Sequence, residues 1–287
     1  MSILGHLVWF TVNDEAEIDH NKLCSDILLS GSDTMLPRAP KGSDVFKRSC
    51  KAAKTAIEQT ATTPCSGSET YGETHGPVHW RAAGTDNLYV YRELTNDSKT
   101  TDLVVLASVG FHKPTERIAV VKLYTDHIAV TGAVDGLQAF IDANSTVLTA
   151  YAIREFVRRT IETEFLAVNI RQGYFVADEF TEKLTMLAAV VNGVDHCTMD
   201  IVPLEDSLKN MVDREFGLAV QKQADAMAAE IAGVLKNEKT KITKDRFMLF
   251  HNAVDTMKQQ AALVGAEVGP IAKLDDLLQT LVGRMKV

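Results

Sequence analysis

Apolar positions recur with two different periods along the chain, and the change of period marks out its parts. From Ile3 to Val12 the residues are mostly β-branched or aromatic, which predicts a strand. Leu23, Ile27 and Leu28 then predict a short helix running to Leu29 and capped by Asp19. Leu36-Pro37-Arg38-Ala39-Pro40 reads as extended chain, because each proline disfavours the helical conformation of the residue before it. Phe46, Cys50, Ala53 and Ile57 follow at steps of 4, 3 and 4, predicting a helix from Asp44 to Glu58 capped by Ser43.

Residues 60–77 are rich in Thr, Ser and Gly and read as a long flexible loop, a candidate internal boundary. The period then shortens to that of strands over Val78–Arg81, Leu88–Glu93, Leu103–Phe111 and Arg117–Tyr124. Turn-like residues separate these runs, so an antiparallel meander is the simplest arrangement. Ile153, Val157, Ile161 and Phe165 return to a four-residue step within a helix placed over 146–170, with Glu155 and Arg159 as a supporting i,i+4 pair. A short strand at Tyr174–Val176, a helix over Thr181–Val191 and a strand over Cys197–Val202 complete this part.

From Glu205 onward the pattern is helical. One helix spans about 205–236, and a second begins near Thr243. The second carries Phe247, Phe250, Val254, Met257, Ala261, Val264 and Val268 at alternating steps of 3 and 4, a heptad seam. Gly269-Pro270 interrupts it before a last helix from Ile271. The short connection at Asn237–Ile242 predicts antiparallel neighbours. The fold class is therefore α+β: a mainly antiparallel sheet with flanking helices, followed by a C-terminal helical hairpin or coiled-coil-like tail. The expected division is an α+β domain over 1–204 and a helical tail over 205–287.

Hydrophobic residues make up 46% of the 287-residue chain, enough for a core and against disorder throughout. The net charge of −8 gives no global attraction for nucleic acid, so any such partner has to be met locally. One segment differs sharply from the rest. Residues 38–54 contain Arg38, Lys41, Lys47, Arg48, Lys51 and Lys54 against the single acid Asp44, so this segment is +5 and the remainder is −13. On the predicted helix, Lys47, Lys51 and Lys54 lie beside the apolar stripe of Phe46, Cys50 and Ala53. A helix docked by the one stripe would present the other to a phosphate backbone or an acidic protein. The bland alternative is a solvated face. A second basic cluster, Lys236, Lys239, Lys241, Lys244 and Arg246, surrounds the hairpin loop, where lysines complement a helix C-terminus.

Motifs for phosphate loops, dinucleotide folds, the serine-hydrolase elbow, zinc proteases and calcium hands are absent from the sequence. His75 and His79 with Cys65 lack the companion ligands of a metal site, and neither metal nor cofactor is expected. Asp195-His196-Cys197 puts an acid, a base and a thiol on consecutive residues, whose side chains would diverge on a strand. Trp9, Trp80, Tyr89 and Tyr91 read first as core and second as stacking surfaces for single strands. Four dispersed cysteines, Cys24, Cys50, Cys65 and Cys197, together with an apolar start that lacks a basic leader, predict a cytoplasmic protein with reduced thiols. No apolar run is long enough to span a membrane.

Two stretches carry a resemblance: Gly5-His6-Leu7-Val8-Trp9-Phe10-Thr11-Val12, and Leu36-Pro37-Arg38-Ala39-Pro40 followed by Asp44-Val45-Phe46-Lys47-Arg48. Gly173-Tyr174-Phe175-Val176 and Asp200-Ile201-Val202-Pro203-Leu204 extend it toward the tail. The chain resembles a family of uncharacterised proteins of bacteriophages, plasmids and bacteria. That resemblance implies a mobile-element setting and no defined activity, and it draws attention to Arg38, Asp44, Phe46 and Arg48. It differs at Val45, where the family usually has a smaller residue.

Three functional expectations follow. The leading one is a non-enzymatic phage- or plasmid-associated binding protein whose basic helix contacts nucleic acid or an acidic protein, through Arg38, Lys41, Lys47, Arg48, Lys51 and Lys54. The second is an assembly protein that forms a homo-oligomer through Phe247, Phe250, Val254, Met257 and Ala261. The third is an enzyme with a scattered site.

Overall fold

The structure, a computed structural model, describes residues 3–31, 35–60, 78–82, 87–95, 101–112, 114–115, 117–123, 128–170, 173–236, 243–263 and 269–283. In chain order the elements begin with β1 (Ile3–Val12), β2 (Glu17–Asp19), α1 (His20–Leu29) and α2 (Gly42–Thr60). Four strands follow, β3 (Val78–Ala82), β4 (Asn87–Thr95), β5 (Thr101–His112) and β6 (Arg117–Leu123), and then α3 (Ile128–Asn144). Next come β7 (Val147–Thr149), α4 (Ala150–Thr163), β8 (Val168–Ile170), β9 (Gly173–Ala177), α5 (Thr181–Asn192) and β10 (Cys197–Glu205). The chain closes with α6 (Lys209–Lys236), α7 (Lys244–Leu263) and α8 (Gly269–Val282). The α+β class holds, with antiparallel sheets and a helical C-terminal region.

These elements form two units. One combines Met1–Arg38 with Leu148–Val287; the other is the continuous segment Ala39–Val147. The second unit is thus inserted into the first. The expected boundary at 204/205 falls inside the first unit, because the C-terminal helices share a core with its sheet.

In the first unit the strands run in the order β10-β1-β9-β8, each pair antiparallel. Successive strand residues face opposite sides, so a sheet can bury both faces if both are apolar. Val8, Val12, Val176 and Met199 pack on one side with Leu23, Ile27, Ile153, Val157, Leu184 and Leu187 of α1, α4 and α5. Phe175, Val168 and Leu204 pack on the other side with α6–α8, where the Phe216 ring meets Phe175 edge-on at 6.3 Å and 85°. A bulge at Leu4 resets the alternation of β1, which is why both Leu4 and Leu7 lie against the second core. Two glycines of the resemblance motifs permit the close strand approach. A Cβ on Gly5 would sit 2.5 Å from the Val176 carbonyl oxygen, and one on Gly173 would sit 2.8 Å from that of Val8.

Local signals behave as the sequence predicts at several points. The Asp19 carboxylate accepts the N–H groups of Asn21 and Lys22 at 2.9 and 3.0 Å, capping α1. Leu23 and Ile27 are buried, but Leu28 is exposed, one step off the stripe. The helix expected over 146–170 is shorter: α4 ends at Thr163, Leu166 takes φ 49°, and the flanking residues form β7 and β8. Glu155 pairs with Arg158 rather than Arg159, at 2.7 Å.

In the second unit β3-β4-β5-β6 form the expected antiparallel meander. Its core joins Val45, Phe46, Cys50 and Ala53 of α2 to Ala107, Val109 and Phe111 of β5 and to Val134, Leu137 and Ile141 of α3. Helix α3 lies outside the sequence expectation, since Gly132 and Gly136 dilute its helical signal. The expected loop at 60–77 falls, apart from Thr60, outside the described residues, as do Cys65, His75, Val264 and Val268.

Candidate nucleic-acid interface

The apolar stripe of α2 does what its spacing dictates. Phe46 stacks on Phe111 with centroids 4.8 Å apart and planes 10° from parallel, while Cys50 and Ala53 are buried behind it. The helix begins at Gly42, one residue before the expected Ser43 cap, with the Asp44 and Val45 N–H groups on the Lys41 carbonyl. Once that stripe is docked, the neighbouring positions face outward. Lys41, Lys47 and Lys51 are exposed, and Lys47 and Lys51 stand one turn apart, about 6 Å along the axis. Lys47 lies 3.6 Å from Asp44, a solvent-exposed pair that salt screens readily. The side chain of Lys54 is outside the described residues.

Arg48 differs from its basic neighbours. Its Nη2 donates to the carbonyls of Asn144 at 3.4 Å and Val147 at 3.2 Å. Asn144 is the last residue of α3, so the guanidinium satisfies the carbonyl end of that helix and opposes the negative end of its dipole. Arg48, expected to contact a ligand, thus bridges α2 to the chain that ends α3 through its Nη2. Arg38, also exposed, ends the first segment of the other unit.

The residues expected for self-association lie on α7. Phe250, Val254, Met257 and Ala261 are buried in the chain's own core with α6 and α8, and Phe247 packs partly against it. A third helix and a sheet cover the seam, so it is not a free surface. Arg246 of the second basic cluster lies 3.5 Å from Glu230 and over the Phe250 ring.

Other candidate chemistry is dispersed. Asp195 and His196 are exposed, whereas Cys197 is buried, and His196 occupies a turn with φ 63°. Burial raises the pKa of Cys24, Cys50 and Cys197, and the Cys50 thiol is pushed up to about 12, so none of these is an activated thiolate. His20 shares its Nε2 between the Pro37 carbonyl at 3.0 Å and the Cys24 sulfur at 3.5 Å. Among the described residues no three of His, Cys, Asp or Glu are grouped to hold a metal, and no helix is long and apolar enough to cross a membrane.

Two arrangements escaped the sequence reading. Glu162 accepts from Arg158 at 3.0 Å and from the Tyr174 hydroxyl at 3.2 Å, and burial raises its pKa against the pull of Arg158. The i,i+4 spacing of Arg158 and Glu162 was the available signal. A shallow cleft of about 150 Å³ opens in the second unit beside Gly42, Thr115, Arg117, Asp142 and Ser145. The Ser145 hydroxyl there donates to the Asp142 carbonyl at 3.0 Å, so its proton is already committed.

The fold defines an α+β protein of two units, the second formed by the continuous segment Ala39–Val147. The chain belongs to DUF6744, a family of unknown function whose model matches residues 3–281. No curated protein and no solved structure matches it.

Proposed function

We propose that this chain is a non-enzymatic binding protein of a phage or other mobile element, and that it contacts nucleic acid through the outward face of α2. The observation that carries this reading is the division of α2 into a buried Phe46–Cys50–Ala53 stripe and an exposed lysine row. That row belongs to a +5 segment in a chain of net charge −8. Such a concentration of like charge on one docked helix favours a polyanion, and binding would release condensed counterions.

Fluorescence anisotropy with labelled single-stranded DNA, duplex DNA and RNA, at low and moderate salt, tests the reading. Binding is expected to weaken steeply with salt and to be lost when Lys47, Lys51 and Lys54 are changed to Glu. No binding even at low salt overturns it and leaves an acidic protein as the partner to seek.

A second reading, self-assembly, is supported by Met211 and Leu218, which are exposed two turns apart on α6, rather than by the α7 seam. Sedimentation of the wild type and Leu218→Asp over a range of concentrations separates the two readings.

A further inference from the structure

On α2 the one arginine, Arg48, is half-buried, and Lys47 and Lys51 are exposed. Arg48 spends its Nη2 on the carbonyls of Asn144, which ends α3, and Val147, which begins β7. The cations that stand in solvent near it, among the described side chains of α2 and its leading turn, are Lys41, Lys47 and Lys51. The two cation types differ in what they recognise. A guanidinium offers a planar fork that matches the paired acceptors of a guanine edge. An ammonium is a compact, strongly hydrated point charge that is attracted to phosphate oxygens without fixing a direction. Phosphate contacts position a protein on a nucleic acid and carry no sequence information.

We infer that the α2 face binds the phosphate backbone without regard to base sequence, and that Arg48 is the residue that holds this face in place. The inference rests on the nucleic-acid reading and adds its specificity class. A helix set by a buried stripe and an arginine clamp presents its lysines as a fixed row, which neighbouring phosphates of any sequence can meet. Asp44, 3.6 Å from Lys47, reduces the local positive field, and the salt dependence comes from the counterions each phosphate contact releases.

The test uses the full chain and a set of short labelled duplexes of unrelated base composition, read by anisotropy at several salt concentrations. Affinities at one salt concentration should agree within about tenfold, where a single lost base contact can be worth about 5- to 150-fold. Inorganic polyphosphate should compete. Lys47→Glu with Lys51→Glu should reduce the salt slope by about 0.9 per phosphate contact removed. Arg48→Met should lower the thermal midpoint and loosen α2 in amide exchange, while the binding that remains keeps the wild-type salt slope; Arg48→Lys should restore part of the midpoint. A preference above about tenfold for one sequence overturns the inference while leaving nucleic-acid binding intact. A slope that falls by a full contact in Arg48→Met assigns Arg48 to the ligand and overturns the clamp. Absence of binding to every duplex removes both this inference and the reading beneath it.

Discussion

Phe46 of α2 and Phe111 of β5 lie almost parallel, with ring centroids 4.8 Å apart, and this stack joins the basic helix to the meander beneath it. Phe46 is 6% exposed and Phe111 3%. Truncating Phe46 to alanine opens a cavity at that junction and is expected to cost about 3–5 kcal/mol. Chemical denaturation measures the loss. A variant with an unchanged midpoint would show that α2 does not dock through this ring.

Phe250 anchors α7 inside the chain's own core, 4% exposed, beneath the Arg246 guanidinium. Phe250→Ala should likewise cost about 3–5 kcal/mol. Because the seam is covered internally, the variant's unfolding midpoint should fall equally at low and high protein concentration. A midpoint that depends on concentration in the wild type and not in the variant would place the seam between subunits.

Two glycines should respond oppositely to alanine. At Gly5 the added Cβ meets the Val176 carbonyl and the Phe175 ring at 2.5 and 2.8 Å, so overpacking of about 1–3 kcal/mol is expected. At Gly217, within α6, nothing lies within 4 Å, and alanine should stabilise by about 0.5–1 kcal/mol through helix propensity. Thermal unfolding of the pair provides an internal control for the sheet geometry.

Glu162 should leave a signature in the pH dependence of stability. Burial raises its folded pKa, with Arg158 and Tyr174 pulling it back and Glu155 adding to the rise. Its stabilising contribution is fully present below the ordinary value of 4.5 and is lost as pH rises through the raised folded value. Gln mimics the neutral carboxyl at every pH. The midpoint of Glu162→Gln minus that of the wild type should therefore increase from acid toward neutral pH. A difference that falls instead would mean that the Arg158 ion pair outweighs desolvation.

The thiols should separate by burial. Cys24 is partly exposed, whereas Cys50 and Cys197 are buried and Cys50 titrates near pH 12. Iodoacetamide at mildly alkaline pH should modify Cys24 well before Cys50 or Cys197 in the native protein, followed by peptide mass spectrometry. Early modification of Cys50 would contradict the docking of α2.

The apolar periodicities alone determined most of the elements. The Ile3–Val12 strand, the four-strand meander, the Asp19 cap and the amphipathic α2 all rest on local steric and hydrogen-bond preferences that neighbours in sequence express. Helix α3 was hidden because Gly132 and Gly136 weaken the same local signal. Contacts between distant residues decided the rest. Nothing local to Ala39 or Val147 marks them as the ends of an inserted unit, since that division arises from which cores close upon themselves. The α7 seam has the spacing of a coiled coil, but Phe216, Leu274 and the sheet occupy its partner positions. Arg48 and Lys47 are adjacent and alike in charge, and only the position of the Asn144 and Val147 carbonyls gives one backbone partners and leaves the other exposed. Sequence fixes which faces are apolar and which are charged; the backbone groups that end up beside a charged side chain are a property of the folded chain, because they come from about a hundred residues away.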